Sequence, residues 1–300
     1  MKIAVILICS FFGSLGNAQN LTQVFTLYPE LSSLSSIIAN SSSLFKQLEA
    51  ANDYTFLAPS NDAIAARVKS PSSNASIDTV LAYHLFHRIL PLTRETLPSN
   101  GTFDDTETSF LISSLTDSKY ALVSGGQRAK FMFNDEALIQ SGNRTTSQIT
   151  IANIMWKGGI THIIDTVLEF PMDALIQATT ARLSYFAGIF NSGGLLNASN
   201  AGPVMRIGTM PDATYFFPDS ESTLTSFKQN SLEPSMLLEY HAVQGLYYST
   251  NFTNGTTLNT TAGVPLLVTL DENGDIYLNT AKITTPDYLI FNGVMHVIDR

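Results

Sequence analysis

Residues 54–64 read YTFLAPSNDAI and residues 215–223 read YFFPDSEST. Each is a short apolar run rich in strand formers that stops at a proline and hands over to residues suited to a helix N-terminus. Downstream of the first come Tyr83 and His84, then GITHIID at 159–165; downstream of the second come Tyr240 and His241, then GVMHVID at 293–299. Pro59 and Pro218 lie 159 residues apart, and Tyr83 and Tyr240 lie 157 apart. So long a period is outside the range of solenoid repeats and fits two tandem globular units. The boundaries that follow are 1–18 for a leader, 20–170 for the first unit and 172–300 for the second, with almost no linker between the units.

The leader carries one basic residue, Lys2, an apolar run from Ile3 to Phe12 and a small-residue exit at Gly16, Asn17 and Ala18. That is the layout of a cleavable secretory signal, and its run is shorter than the roughly 20 apolar residues of a spanning helix. Cleavage leaves no transmembrane segment and removes Cys9, the only cysteine. Each unit must then be held by an apolar core rather than by disulfides, and thiolate-metal and thiol-nucleophile chemistry are excluded. Without Lys2, 15 basic residues face 25 acidic ones, a formal net charge of −10. No basic cluster stands out, so nucleic acid and anionic membrane surfaces are poor partners. Nine Asn-x-Ser/Thr sites, at Asn20, Asn40, Asn74, Asn100, Asn143, Asn197, Asn251, Asn254 and Asn259, point to a glycosylated, secreted or cell-surface protein.

Between Leu21 and Ala51 apolar residues recur at helical spacing, so short helices open the first unit. Ser60 and Ser76 are expected helix caps, as is Asp219 in the second unit, and Met172 to Phe190 reads as one helix. Tyr83 to Ile89 alternates like a strand. Leu266 to Leu270, a Glu272–Asp275 turn and Ile276 to Leu278 read as a β-hairpin with a primed Asn-Gly turn. Helices first and strands later indicate an α+β class.

With three signals in order, twice over, the chain resembles the fasciclin domains of secreted and cell-surface adhesion proteins. The first motif is matched by Pro59, Asn61 and their neighbours, the Tyr-His motif by Tyr83, His84, Tyr240 and His241, and the last by Asn292, Gly293, His296 and Asp299. In the first unit the last motif runs through Gly159, His162 and Asp165, with Gly158 where the second unit has Asn292. The proline motif of the second unit keeps Pro218 but has Ser220 for the asparagine. The resemblance covers about 20–300 and implies two β-sheet wedges with helices packed at one end. It also implies a non-catalytic role in adhesion, at the extracellular matrix or cell wall, with protein or polysaccharide partners. Under it the Tyr-His stretches, with Leu85, Phe86, Val243 and Leu246 beside them, are the adhesive segments. The first unit continues past Asp165 as TVLEF whereas the chain ends one residue after Asp299, so the closing strand of the second unit is expected to be cut short.

The histidines invite other chemistry. His84 and His87 are three apart, which on a strand sends them to opposite faces, and no metal-binding or phosphate-cradling motif occurs, so no metal or cofactor is expected. No Gly-x-Ser-x-Gly elbow is present, and Asp165 and Asp299, three residues after a histidine on strand-like runs, should face away from it. The alternative for His84 and His241 is a buried imidazole that bonds the backbone and pins a helix end to the sheet. A second functional class is an apolar small-molecule binder, for which a cleft between helices and sheet would be needed. No Arg-Gly-Asp triplet is present.

Overall fold

The computed structural model describes residues 7–8, 19–41, 52–70, 73–93, 109–134, 136–192, 209–230 and 234–300, with single positions at 46, 48 and 50. The leader lies outside the described residues except for Leu7–Ile8, which pairs in parallel with Ile151 and Ala152. The chain divides into two compact units: Met1–Asp117 with Gly125–Phe170, and Ser118–Ser124 with Pro171–Arg300. The segment Ser118–Ser124 is integral to the second unit, where Leu122 N donates to Phe291 O and Ser124 N to Asp212 Oδ1.

The first unit contains strands β1 (Tyr54–Pro59), β2 (Leu85–Phe86), β3 (Phe110–Ile112), β4 (Arg128–Asn134), β5 (Glu136–Gln140), β6 (Thr146–Trp156) and β7 (Gly159–Ile164). Their order across the sheet is β2-β1-β7-β6-β5-β4-β3. The second unit contains β8 (Ala213–Pro218), β9 (Ala242–Gln244), β10 (Thr257–Asn259), β11 (Pro265–Leu270), β12 (Ile276–Leu278), β13 (Ala281–Ile290) and β14 (Gly293–Ile298), in the order β9-β8-β14-β13-β12-β11-β10. The two orders are the same once counted from the start of each unit. The three repeated signals thus meet in space: the proline strand lies between the Tyr-His segment and the Gly-to-Asp strand in both units.

Registers repeat as well. β1 and β7 run parallel from Tyr54 opposite Gly159 to Pro59 opposite Ile164, and β8 and β14 from Ala213 opposite Gly293 to Pro218 opposite Ile298. β7, β8 and β14 are buried at every position, as strands covered on both faces should be. In the second unit Tyr215, Phe217, Met295 and Val297 turn to one face and Phe216 and Ile298 to the other, where they join Val268 and Leu278.

Helices cover the first of these faces. In the first unit α1 (Leu21–Leu27) and α2 (Ser32–Ala39) bring Val24, Phe25, Leu34 and Ile38 against Phe56, Ala58, Trp156 and Ile163. α3 (Asn61–Lys69) and α4 (Ile77–Ala82) start on the expected caps, Ser60 and Ser76, which accept Ala63 N and Thr79 N. In the second unit the stretch read as one helix is two, α5 (Ala174–Thr180) and α6 (Ser184–Ser192), parted by Arg182 at φ +60°. α6 is pinned by Phe186, whose ring stacks on Phe217 at 3.9 Å. α7 (Glu221–Asn230) and α8 (Pro234–Tyr240) follow, α8 opening on a proline at a position that needs no amide hydrogen.

The β11–β12 hairpin forms, with a different turn. Gly274 N donates to Asp271 O at 3.0 Å and Gly274 alone of Glu272–Asp275 has positive φ, +79°, so a type I turn closes through a glycine bulge. Asp271 Oδ1 accepts both Asn273 N and Asp275 N at 2.9 Å, which holds Asn273 out of the left-handed region a primed turn needs.

Candidate functional site

The strand expected from Tyr83 to Ile89 shrinks to Leu85–Phe86, because Tyr83 instead closes α4 as its C-cap. Tyr83 and His84 are fully buried. The Tyr83 hydroxyl donates to Arg128 O at 2.7 Å, and its ring stacks with Phe170 at 5.8 Å. His84 Nδ1 donates to Val80 O at 2.8 Å and Nε2 accepts Leu168 N at 3.1 Å, which fixes a neutral tautomer. Burial pushes this imidazole down to about 4. Leu85 and Phe86 are buried too, so the folded first unit offers no surface from this stretch to a partner; this corrects the adhesive assignment of Tyr83 and His84.

The second unit keeps the histidine bond but leaves the tyrosine exposed. His241 Nδ1 donates to Leu237 O at 2.7 Å, and burial lowers its pKa. Tyr240 ends α8 with 42% of its surface exposed, and Met236, one turn earlier on the same side, is 47% exposed. In both units the histidine carbonyl ties the segment to the proline strand, through Leu57 N to His84 O and Phe216 N to His241 O.

The Gly-to-Asp strands act as clasps. A Cβ on Gly159 would lie 1.9 Å from Tyr54 O and one on Gly293 1.8 Å from Ala213 O, so the parallel partner strand forbids any side chain there. At the far end Asp165 Oδ1 accepts Gln148 N and Asp299 Oδ1 accepts Lys282 N, which turns each carboxylate onto the neighbouring strand and away from the histidine. Midway, His162 Nε2 donates to Leu90 O and its Nδ1 accepts Asn153 N; His296 Nε2 donates to Tyr247 O and its Nδ1 accepts Asp287 N. Both rings are fully buried, and burial pushes His162 down to about 4.

Asn153 and Asp287 escaped the sequence reading. Both sit at φ +62° inside bulges of β6 and β13, and their amides reach the histidine only because of those bulges. Their side chains hold an adjacent loop: Asn153 exchanges two bonds with the Leu92 backbone, and Asp287 accepts Ser249 N and Ser249 Oγ. Thr55 and Thr214 repeat in the same way, each hydroxyl donating to one carbonyl (Arg88 or Gly245) and accepting one amide (Leu90 or Tyr247). The equal offsets were the available signal, since Asn153 and Asp287 each precede their histidine by nine residues and Thr55 and Thr214 each precede their proline by four.

Pro59 and Pro218 end their strands in equivalent places, followed by Ser60 N to Ile164 O and Asp219 N to Ile298 O. Asn61 donates to Pro29 O and Ser32 Oγ and accepts Ser33 N, locking α3 to the start of α2. In the second unit the acceptor role passes to Asp219, which takes Tyr185 N at 3.0 Å, while Ser220 rather than Asp219 caps α7 through Thr223 N. Asn292 Nδ2 donates to Met210 O and the Tyr215 hydroxyl. With Gly158 in its place the first unit retains only the main-chain bond, Tyr54 N to Gly158 O.

Ser249, Asp287 and His296 are a serine, an acid and a histidine in one cluster, but the serine hydroxyl bonds the acid and the imidazole is spent on two main-chain groups. That order cannot activate a nucleophile. On the surface His87 Nε2 lies 3.2 Å from Ser114 Oγ, and among the described residues no acid orients its Nδ1. No three potential metal ligands converge among the described residues, and no described helix is long and apolar enough to cross a membrane. Asn20, Asn40, Asn74, Asn143, Asn251, Asn254 and Asn259 are all exposed; Asn100 and Asn197 lie outside the described residues.

A family model, the fasciclin domain, matches the chain twice, over residues 29–171 and 181–300. The curated relatives include a fasciclin-like arabinogalactan protein of Arthroderma benhamiae, 25% identical over 94% of this chain and 66% of its own length. Another, fasciclin-like arabinogalactan protein elcF of Phaeosphaeria nodorum, is 23% identical over 96% of this chain and 89% of its own length. Fasciclin-like arabinogalactan protein CTB11 of Cercospora beticola is 29% identical over 58% of this chain, and the match spans 47% of that protein. Among solved structures, a FAS1 domain pair from the insect cell adhesion molecule fasciclin I is 17% identical with a TM-score of 0.38, covering 88% of this chain and 93% of that one.

Proposed function

The chain belongs to the fasciclin-domain family, and from that premise we propose that it is a secreted, N-glycosylated, non-catalytic adhesion protein of the extracellular matrix or cell wall. The observation that carries the reading is where the motif polar groups are spent. His84, His162 and His296 are buried and bonded to main-chain groups, so the family motifs build a scaffold and leave recognition to its surface. The exposed asparagines of seven Asn-x-Ser/Thr sites and the arabinogalactan-protein names of the relatives support a glycosylated wall or matrix protein.

In the second unit the adhesive contact falls on Tyr240 and Met236, an exposed aromatic and thioether pair one helical turn apart. The partner is a matrix or cell-surface protein or a polysaccharide. The folded, glycosylated protein is to be screened against matrix proteins, wall polysaccharides and cells, beside Tyr240→Ala. Saturable binding that falls in Tyr240→Ala while the fold is kept is the expected result. A blank screen refutes adhesion, and binding untouched by the substitution refutes the Tyr240 assignment.

A further inference from the structure

Under the helices of the first unit lies a half-open cavity of about 230 Å³, unrelated to the Tyr240 surface. Its wall is aliphatic: Leu34 and Ile37 from α2, Ile64 from α3, Val80 and Leu81 from α4, and Val167 beyond β7. We propose that this cavity is a binding site for a neutral, apolar small molecule, of the size of two fused aromatic rings or a medium-length alkyl alcohol.

Size sets the upper bound. A buried aliphatic cavity of about 150 Å³ takes benzene, so one half as large again takes a bicyclic ring or a chain of comparable bulk. An aliphatic wall gives water few hydrogen-bond partners, so an apolar occupant replaces poorly held solvent and gains dispersion contacts on its walled sides.

Charge sets the class. Among the described residues the one charged lining residue is Arg67, whose Nη1 lies 3.0 and 3.1 Å from the two Glu169 carboxylate oxygens and whose Nη2 donates to Ser73 Oγ at 3.0 Å. The guanidinium is neutralised within the unit, so an anionic ligand would lose its hydration without gaining an unpaired cation. Two of the cavity's aliphatic lining residues, Val68 and Ile77, are also open to solvent, at 74% and 43% exposed. A ligand seated there covers surface that the fold leaves in water.

The test is titration of the full-length protein with the bicyclic fluorophore 1-naphthylamine, which is neutral at the working pH, followed by displacement with 1-decanol and with decanoate at about pH 8. Saturable one-to-one binding is expected, weakened roughly tenfold or more by Ala75→Phe, which fills the cavity, and by Val68→Glu, which charges its mouth. Decanol is expected to displace the probe at concentrations roughly tenfold lower than decanoate. If Ala75→Phe does not fold, Val68→Glu decides alone, since an exposed position tolerates the change. A probe signal that is not saturable, or that survives the substitutions, overturns the site. Displacement by decanoate as readily as by decanol overturns the neutral class.

Discussion

Acidification from about pH 7.5 to about pH 5 should weaken the first unit by about 4 kcal/mol through His84 and His162 alone. Both imidazoles are fully buried and pushed from an ordinary value of 6.5 down to about 4, with desolvation the larger cause in each. In the unfolded chain they take up protons near 6.5, and in the folded unit they resist until about 4. The unfolded state therefore binds more protons throughout that window, so the stability present above 6.5 is lost as the pH falls toward 4. At pH 5 each histidine contributes a loss of about 2 kcal/mol, rising to about 3 kcal/mol once both states are protonated.

Trp156 is the only tryptophan and is buried in the first unit, so its fluorescence during urea unfolding reports on that unit. With a denaturant slope of about 2 kcal/mol per molar, the midpoint should drop by about 2 M between the two pH values. His84→Gln and His162→Gln, each less stable at neutral pH because a main-chain bond is lost, should each lose about half of the pH dependence. A midpoint that stays level between pH 7.5 and pH 5, or a slope unchanged in both variants, would refute the assignment of the two rings as buried and neutral.

The other expectations concern the clasps. Gly293→Ala places a methyl carbon 1.8 Å from Ala213 O and should cost about 3 kcal/mol or more, read as loss of the cooperative thermal transition; a shift of a degree or two would show that the strands can part. Asp287→Asn retains a polar partner for Ser249 and reproduces the residue found at 153, so it should change stability by less than about 1.5 kcal/mol, whereas Asp287→Ala strands Ser249 N and Oγ and should cost about 2–3 kcal/mol by urea unfolding. Asn61→Ala removes three bonds between α3 and the start of α2 and should cost about 2 kcal/mol by Trp156 fluorescence; equality with the wild type would place those bonds in competition with water.

The pairing of the repeated signals was readable because each rests on a constraint that composition reveals. Proline ends a strand that cannot donate further, serine caps the helix behind it, and glycine marks the point where two parallel strands leave no room for a Cβ. A buried, backbone-bonded His84 was among the readings, but the burial of Tyr83, Leu85 and Phe86 with it was not readable, since an alternating run from Tyr83 to Ile89 looks like a half-exposed strand until its neighbours are known. Asn153 and Asp287 were hidden for a related reason: a residue held at positive φ within a bulge has no local sequence pattern, and its partner histidine is close only through the bulge.

What the two units do not share points to where function resides. Each uses a histidine bonded to the end of a helix, a second histidine bonded across a bulge, and a threonine that ties the proline strand to the following loop. These repeated contacts are internal, and one sheet topology accounts for all of them. The copies part elsewhere. Tyr83 is sealed in while Tyr240 is open to solvent, and the acceptor that locks two helices together moves from Asn61 to Asp219. A scaffold satisfied from within leaves its outer helices free to vary without loss of fold, because their exposed faces carry none of the clasping bonds. The helices that present Tyr240 in one unit and the Val68 mouth in the other are therefore where specificity can differ between two units of the same architecture.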